Sequence, residues 1–186
     1  MLYRKIESYI ENYFNSNSNK ILIIDGARQI GKTYIIRHVS QKLFENFIEI
    51  NMIEDFIGDK LFQNVKSVDD FYLQVSMIAG HKMREKENTL IFIDEIQAYP
   101  HLLTLLKFLK QDDKFNYIAS GSLLGVTLAQ TTSIPIGSIE VKRMYPLDFE
   151  EFLLSQNLNT YTIDNLREKF ESRKSLDENT QNKYEK

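Results

Sequence analysis

The sequence predicts an α/β fold built on a mostly parallel sheet of five strands, and three observations carry that reading. Ile21-Leu22-Ile23-Ile24 and Leu90-Ile91-Phe92-Ile93 are short continuous apolar runs, the pattern of strands buried on both faces, and Phe115 to Ala119, apolar but for Asn116, reads as a third buried strand. Between them lie segments whose apolar residues recur at helical spacing. Gly and Pro number only 7 and 3 in 186 residues, too few for the turns of an all-β sandwich.

The elements follow in order. Met1 to Phe14 spaces Leu2, Ile6, Ile10 and Phe14 at intervals of four with charges between them, as an amphipathic helix packed on a core would. Asn15 to Asn19 reads as a polar turn before the first apolar strand, and Ile35, Val39 and Leu43 mark a helix after it. Phe47 to Ile53 alternates Ile48, Ile50 and Met52 with Glu49 and Asn51, which suits an edge strand wetted on one side. Ser67 stands as an N-cap with Asp69 and Asp70 in the first turn of a helix carrying Phe71, Val75 and Ile78.

His81 to Asn88 is a charged loop, and the second apolar strand then ends in Asp94 and Glu95. Pro100 opens a helix striped by Leu102, Leu105, Leu106 and Leu109. The third apolar strand closes in Ser120-Gly121-Ser122, Ile139 and Val141 alternate with Glu140 and Lys142 as a further strand, and Pro146 to Leu154 reads as a short helix. From Glu171 onward the charges balance and apolar residues are scarce, so a frayed helix or disordered tail is expected. The expected organisation is one domain over residues 1–155 and a helical extension with a polar tail over 156–186.

Hydrophobic residues at 42% and charged residues at 26% are the proportions of a globular domain with a sizeable core. The net charge of −3 removes the basic footprint of a stand-alone nucleic-acid binder, although a local basic groove remains compatible with it. With no Cys there is no disulfide, thiolate zinc site or cysteine nucleophile, and His38, His81 and His101 sit on different segments. Met1 is followed by Leu2, Tyr3, Arg4 and Lys5 without an apolar leader, and no run is long enough to span a membrane, so the expectation is a cytoplasmic protein without membrane partners.

Gly26-Ala27-Arg28-Gln29-Ile30-Gly31-Lys32-Thr33 fits G-x-x-x-x-G-K-[ST] between an apolar strand and a helix, the context a phosphate-binding loop requires. Its glycines let successive N–H groups turn toward phosphate oxygens at a helix N-terminus. Lys32 is placed to neutralise β- and γ-phosphate charge, and the Thr33 hydroxyl to ligate Mg²⁺. Gly26 through Thr33, with Tyr34 after it, are therefore the candidate nucleotide-binding residues.

Asp94 and Glu95 lie at the C-terminal end of a buried strand, where open α/β sheets place their ligand crevice. Asp94 would hold Mg²⁺ while Glu95, on the opposite face, would deprotonate the attacking water. Ser120 and Ser122 end the third apolar strand, where either could contact the γ-phosphate or the water, or cap a turn around Gly121. The pattern leaves the choice between them open. Arg28 either steadies the loop, faces a partner or is simply exposed.

Ile23 through Tyr34, Phe92 to Gln97, Ala119 to Gly125 and Tyr145 to Phe152 together resemble prokaryotic AAA-superfamily ATPases whose N-terminal ATPase domain normally precedes a C-terminal domain that is nuclease-like in fold. The resemblance runs from about Tyr3 to Leu154. It implies a P-loop three-layer α/β/α sandwich with strand order 5-1-4-3-2, ATP as the ligand and Glu95 as the catalytic base. Members commonly carry a basic residue after the Gly that precedes the last strand, whereas Ser138 follows Gly137 here, with Lys142 and Arg143 close by. No counterpart of that C-terminal domain is expected within these 186 residues, which leaves open a truncated gene product, an excised domain or a genuine short member.

Two functions fit. One is a Mg²⁺-dependent ATPase, slow in isolation because no arginine finger is evident and a second copy or a protein partner would supply it. The other is a nucleotide-gated interaction module that binds ATP without hydrolysing it, or the remnant of a longer ATPase. A lone phosphate loop also serves small-molecule kinases, but Glu95 beside Asp94 counts against that, and no N-K-x-D segment supports a GTPase.

Overall fold

The apolar runs and the two alternating segments condense into β1 (Ile21–Asp25), β2 (Asn46–Asn51), β3 (Thr89–Asp94), β4 (Asn116–Gly121) and β5 (Ile139–Arg143). The computed structural model describes residues 2–16, 18–122 and 137–175. All four strand pairings are parallel and the order is β2-β3-β4-β1-β5, the expected 5-1-4-3-2 read from the other edge.

The alternation of a strand sorts its side chains onto two faces. Ile21, Ile23, Ile48, Ile50, Ile91, Ile93, Tyr117 and Ala119 join one buried cluster, whereas Leu22, Ile24, Leu90, Phe92 and Ile118 join another. β1 from Ile21 to Ile24, β3 from Leu90 to Ile93 and β4 from Tyr117 to Ala119 are thus apolar at every position because each face has its own layer of helices.

The second cluster is closed by Ile6 and Ile10 of α1 (Lys5–Asn15) and by Ile35, Ile36 and Val39 of α2 (Lys32–Leu43). Between β2 and β3 come α3 (Met52–Ile57) and α4 (Val68–Ala79), and α5 (Pro100–Asp112) follows β3. Phe71 and Val75 of α4 and the Leu102, Leu105, Leu106 and Leu109 stripe of α5 cover the first cluster. Ser67 caps α4 in a reciprocal capping box with Asp70, whose carboxyl is held below the usual range mainly by the backbone N–H of Lys66.

The alternating segment after α2 is shorter than its pattern suggests. Asn51 ends β2 and its side chain accepts from the N–H groups of Ile53 and Glu54, so Met52 and Ile53 begin a helix. His81 to Asn88 contains two 3₁₀ turns, Gly80–Lys82 and Lys86–Asn88. On β5, an edge strand, Ile139 is buried but Val141 is exposed.

Residues Ile6–Pro146 form one unit, and the described parts of Met1–Lys5 and Leu147–Lys186 form another. The second holds α6 (Phe149–Ser155), which Asp148 starts with a capping box to Glu151, and α7 (Thr160–Glu171), capped by Asn159. Arg167 and Lys5 hold the Glu150 carboxyl down at about 2. Of the expected polar tail, 176–186 lies outside the described residues. Among the described residues no helix is long and apolar enough to cross a membrane.

Candidate active site

Parallel pairing brings the C-terminal ends of the central strands to one edge of the sheet. Register sets Ile24 opposite Ser120, Asp25 opposite Gly121, and Ile93 opposite Ala119. Asp94, Ser120 and the chain leaving β1 are therefore level with one another before any side chain is considered.

The loop from Gly26 to Gly31 departs from β1 and enters α2. Gly31, at φ 91°, makes the left-handed turn that starts α2 and offers no side-chain cap, so the first helical N–H groups stay available toward the loop. Ala27, Arg28 and Gln29 are exposed and Ile30 is partly buried. Lys32, only 4% exposed, folds back to donate from Nζ to the carbonyls of Gly26 at 2.9 Å and Ala27 at 2.8 Å.

Gly26 is required by close approach. A Cβ there would stand 2.4 Å from the Met144 carbonyl oxygen and 2.8 Å from Ile30 Cδ1. The Met144 backbone cannot yield easily, because its N–H donates to the Asp25 carbonyl at 2.7 Å and its side chain is buried. Gly26→Ala is expected to lower unfolding free energy by about 1–3 kcal/mol, the range of overpacked cores, as read by urea denaturation. Gly31→Ala meets open space and should lose only the cost of its positive φ, about 1 kcal/mol.

Asp94, 2% exposed, collects three donors. Thr33 Oγ1 donates to Oδ2 at 2.8 Å, Ser120 Oγ donates to Oδ1, and the Glu95 N–H donates to Oδ1 at 3.1 Å. Burial pushes the Asp94 carboxyl up despite the bonds from Ser120 and Thr33. A cation beside it would offset that penalty, and a hydroxyl with one carboxylate is the small protein donor set that Mg²⁺ takes when phosphate and water complete its shell. Among the described residues no group of three or more His, Cys, Asp or Glu side chains is placed to hold a metal ion.

Glu95 sits in the left-handed region at φ 53°, ψ 46°, so the strand alternation stops at Asp94 and does not itself direct the Glu95 side chain. Its Oε2 accepts from Gln97 Nε2 at 2.5 Å. Gln97 also reaches Ser122, whose N–H donates to Gln97 Oε1 at 3.2 Å. The two serines left open by sequence thus take different partners: Ser120 meets Asp94 and Ser122 meets Gln97. Gln97 closes the Phe92 to Gln97 segment of the resemblance, but the sequence alone assigns it no role, and only the turn that brings it back beside Glu95 reveals its partners.

Arg143, at the end of β5, donates to Asp25 Oδ2 from Nη2 at 3.1 Å and from Nε at 3.3 Å, tying that strand to the residue before the loop. Tyr34 is exposed beyond Thr33 and its ring stacks with His38 at 6.4 Å. His38 lies 3.4 Å from Glu7 and His101 bonds the Phe62 carbonyl, so both are engaged away from the loop.

A family model described as an AAA domain matches residues 18–153, which include every one of these site residues. The chain belongs to the AAA-domain family. Its relatives include the uncharacterized protein MJ1544 of Methanocaldococcus jannaschii, 27% identical over 86% of this chain and 34% of that protein. An uncharacterized protein of Haemophilus influenzae is 24% identical over 89% of this chain and 42% of its own length. This AAA domain therefore spans roughly a third to two fifths of these curated relatives. Its fold is similar to that of the C. elegans PCH-2 structure, with TM-score 0.52 at 13% identity over 87% of this chain and 52% of that one. It is also similar to the S. cerevisiae Hsp104–ADP complex, with TM-score 0.54 at 14% identity over 82% of this chain and 23% of that one.

Proposed function

We propose that this AAA domain binds ATP with Mg²⁺ and hydrolyses the β–γ phosphoanhydride bond, giving ADP and phosphate. The observation that carries the reading is the hydrogen bond from Thr33 to Asp94, which joins the end of the phosphate loop to the acidic end of β3. Backbone N–H groups of the loop and of the first turn of α2 receive phosphate oxygens. Lys32 exchanges the carbonyls of Gly26 and Ala27 for β- and γ-phosphate oxygens, and Tyr34 borders the nucleotide.

Thr33 and Asp94 are the residues that would hold Mg²⁺, with Ser120 orienting Asp94. Bound there, Mg²⁺ supplies positive charge against the phosphate oxygens and the leaving group. Glu95 accepts the proton of the attacking water. Arg143 is committed to Asp25 and Arg28 is exposed on the loop, so neither provides a fixed cation for the transferring phosphoryl group. Fast turnover then draws on a second copy or a protein partner, since an arginine finger is worth about 10³ to 10⁵ in rate.

A titration of the 186-residue chain with labelled ATP, with and without Mg²⁺, tests the binding half of this reading. Saturable binding that tightens with Mg²⁺ is expected. Absence of binding in both conditions would overturn it, and binding with no phosphate release would instead mark a nucleotide-gated interaction module.

A further inference from the structure

Glu95 needs its carboxylate in one place to act on water, yet two features of the chain leave that side chain undirected. The strand ends at Asp94, and Glu95 itself adopts a left-handed conformation that no longer follows the pleat. What fixes it is the next turn. Ala98 N–H donates to the Glu95 carbonyl at 3.0 Å and Tyr99 N–H to the Ile96 carbonyl at 3.1 Å, closing a 3₁₀ turn over Ile96–Ala98. Ile96, fully buried, anchors that turn in the core. Gln97 is thereby folded back toward Glu95.

The orientation of the Gln97 amide follows from its partners. The Ser122 N–H can only donate, so it must face Gln97 Oε1. That leaves Nε2, which only donates, directed at Glu95 Oε2 at 2.5 Å and at Ser122 Oγ at 3.3 Å. One carboxamide thus spans the distance between the acidic end of β3 and the residue after β4, using its acceptor on the backbone and its donors on the two side chains.

We propose that Gln97 is a positioning residue for Glu95, holding the carboxylate in register with Ser122 so that the end of β4 and the base move as one. The inference rests on the reading of Glu95 as the base. A glutamate side chain has several rotamers open to it, and a donor fixed by the Ser122 backbone selects one of them. Removing the donor leaves nucleotide binding intact, because Gln97 makes no bond to the phosphate loop, but lowers the fraction of bound complexes in which Glu95 faces the water.

Gln97→Glu separates positioning from space filling. It keeps the size of the side chain and an acceptor for the Ser122 N–H, but it cannot donate to Glu95 and sets a like charge against it. Both Gln97→Ala and Gln97→Glu are expected to lower kcat by about tenfold or more while KM stays within about twofold, with Gln97→Glu the more severe. A purely structural role predicts the reverse ranking, with Gln97→Glu close to wild type.

A second readout needs no turnover. In the nucleotide-free chain the ¹H–¹⁵N side-chain amide pair of Gln97, assigned by its loss in Gln97→Ala, is expected to shift in Glu95→Ala and to exchange more slowly than that of the exposed Gln29. An amide pair that ignores Glu95→Ala overturns the proposal, and so does an unchanged kcat in both Gln97 variants beside a wild type whose turnover depends on Glu95. Wild-type turnover that Glu95→Gln does not reduce overturns the hydrolase reading itself and the role of Gln97 with it, even where the amide signals report the contact.

Discussion

Lys32→Ala is expected to weaken ATP binding by about 100-fold or more, measured by titration with labelled nucleotide. Charge-assisted hydrogen bonds contribute about 1.5–3 kcal/mol each, and an ammonium against β- and γ-phosphates makes more than one, so a loss of roughly 3 kcal/mol corresponds to about two decades in Kd. The loss is tempered because Lys32 already donates to Gly26 and Ala27 and must give up those bonds to reach a phosphate. Removing it also leaves the buried Gly26 carbonyl short of a donor, so a melting curve is needed beside the titration. Retained affinity in a folded Lys32→Ala chain would contradict the placement of phosphates in this loop.

Glu95→Gln should act on the other half of the chemistry. General-base catalysis is worth about 10² to 10⁴ in rate, and Gln keeps the shape of Glu without its proton affinity. Phosphate release is therefore expected to fall by at least 100-fold while Mg²⁺–ATP affinity stays within about twofold of wild type, the split that marks a group acting in the transition state. The bond from Gln97 Nε2 is weakened in this variant, since its acceptor becomes neutral, but the Ser122 N–H to Gln97 contact is untouched. A parallel fall in binding would place Glu95 on the nucleotide or the metal instead of the water.

Much of the sheet was legible because burial on both faces leaves an unmistakable mark. Ile21 to Ile24 and Leu90 to Ile93 are apolar without interruption, and their alternate residues go to opposite helical layers. Pro100 and Ser67 announced their helices by the chemistry of helix starts, and both stand at those starts. The apolar alternation runs on past Asn51 and predicts strand at Met52 and Ile53, where α3 begins instead. The deciding fact is that the Asn51 side chain caps α3, which Asn in a strand-like pattern does not reveal.

The candidate site divides along the same line. A loop with fixed glycine spacing between strand and helix is local, so Gly26 through Thr33 could be read directly from the chain, as could the acidic end of β3. What is built by pairing between distant segments could not. Ser120 and Ser122 share one chemistry and a two-residue spacing, and only the register of β4 against β3 gives one to Asp94 and the other to Gln97. Likewise the need for Gly26 arises from the Met144 carbonyl and the anchoring of Asp25 from Arg143, both more than a hundred residues away.

The most direct measurement of the central claim is single-turnover phosphate release from the chain loaded with Mg²⁺–ATP, followed in wild type and Glu95→Gln under one set of conditions. The account predicts slow but measurable release from wild type, bound nucleotide in both proteins, and release from Glu95→Gln reduced at least 100-fold. Equal release from the two proteins would contradict it.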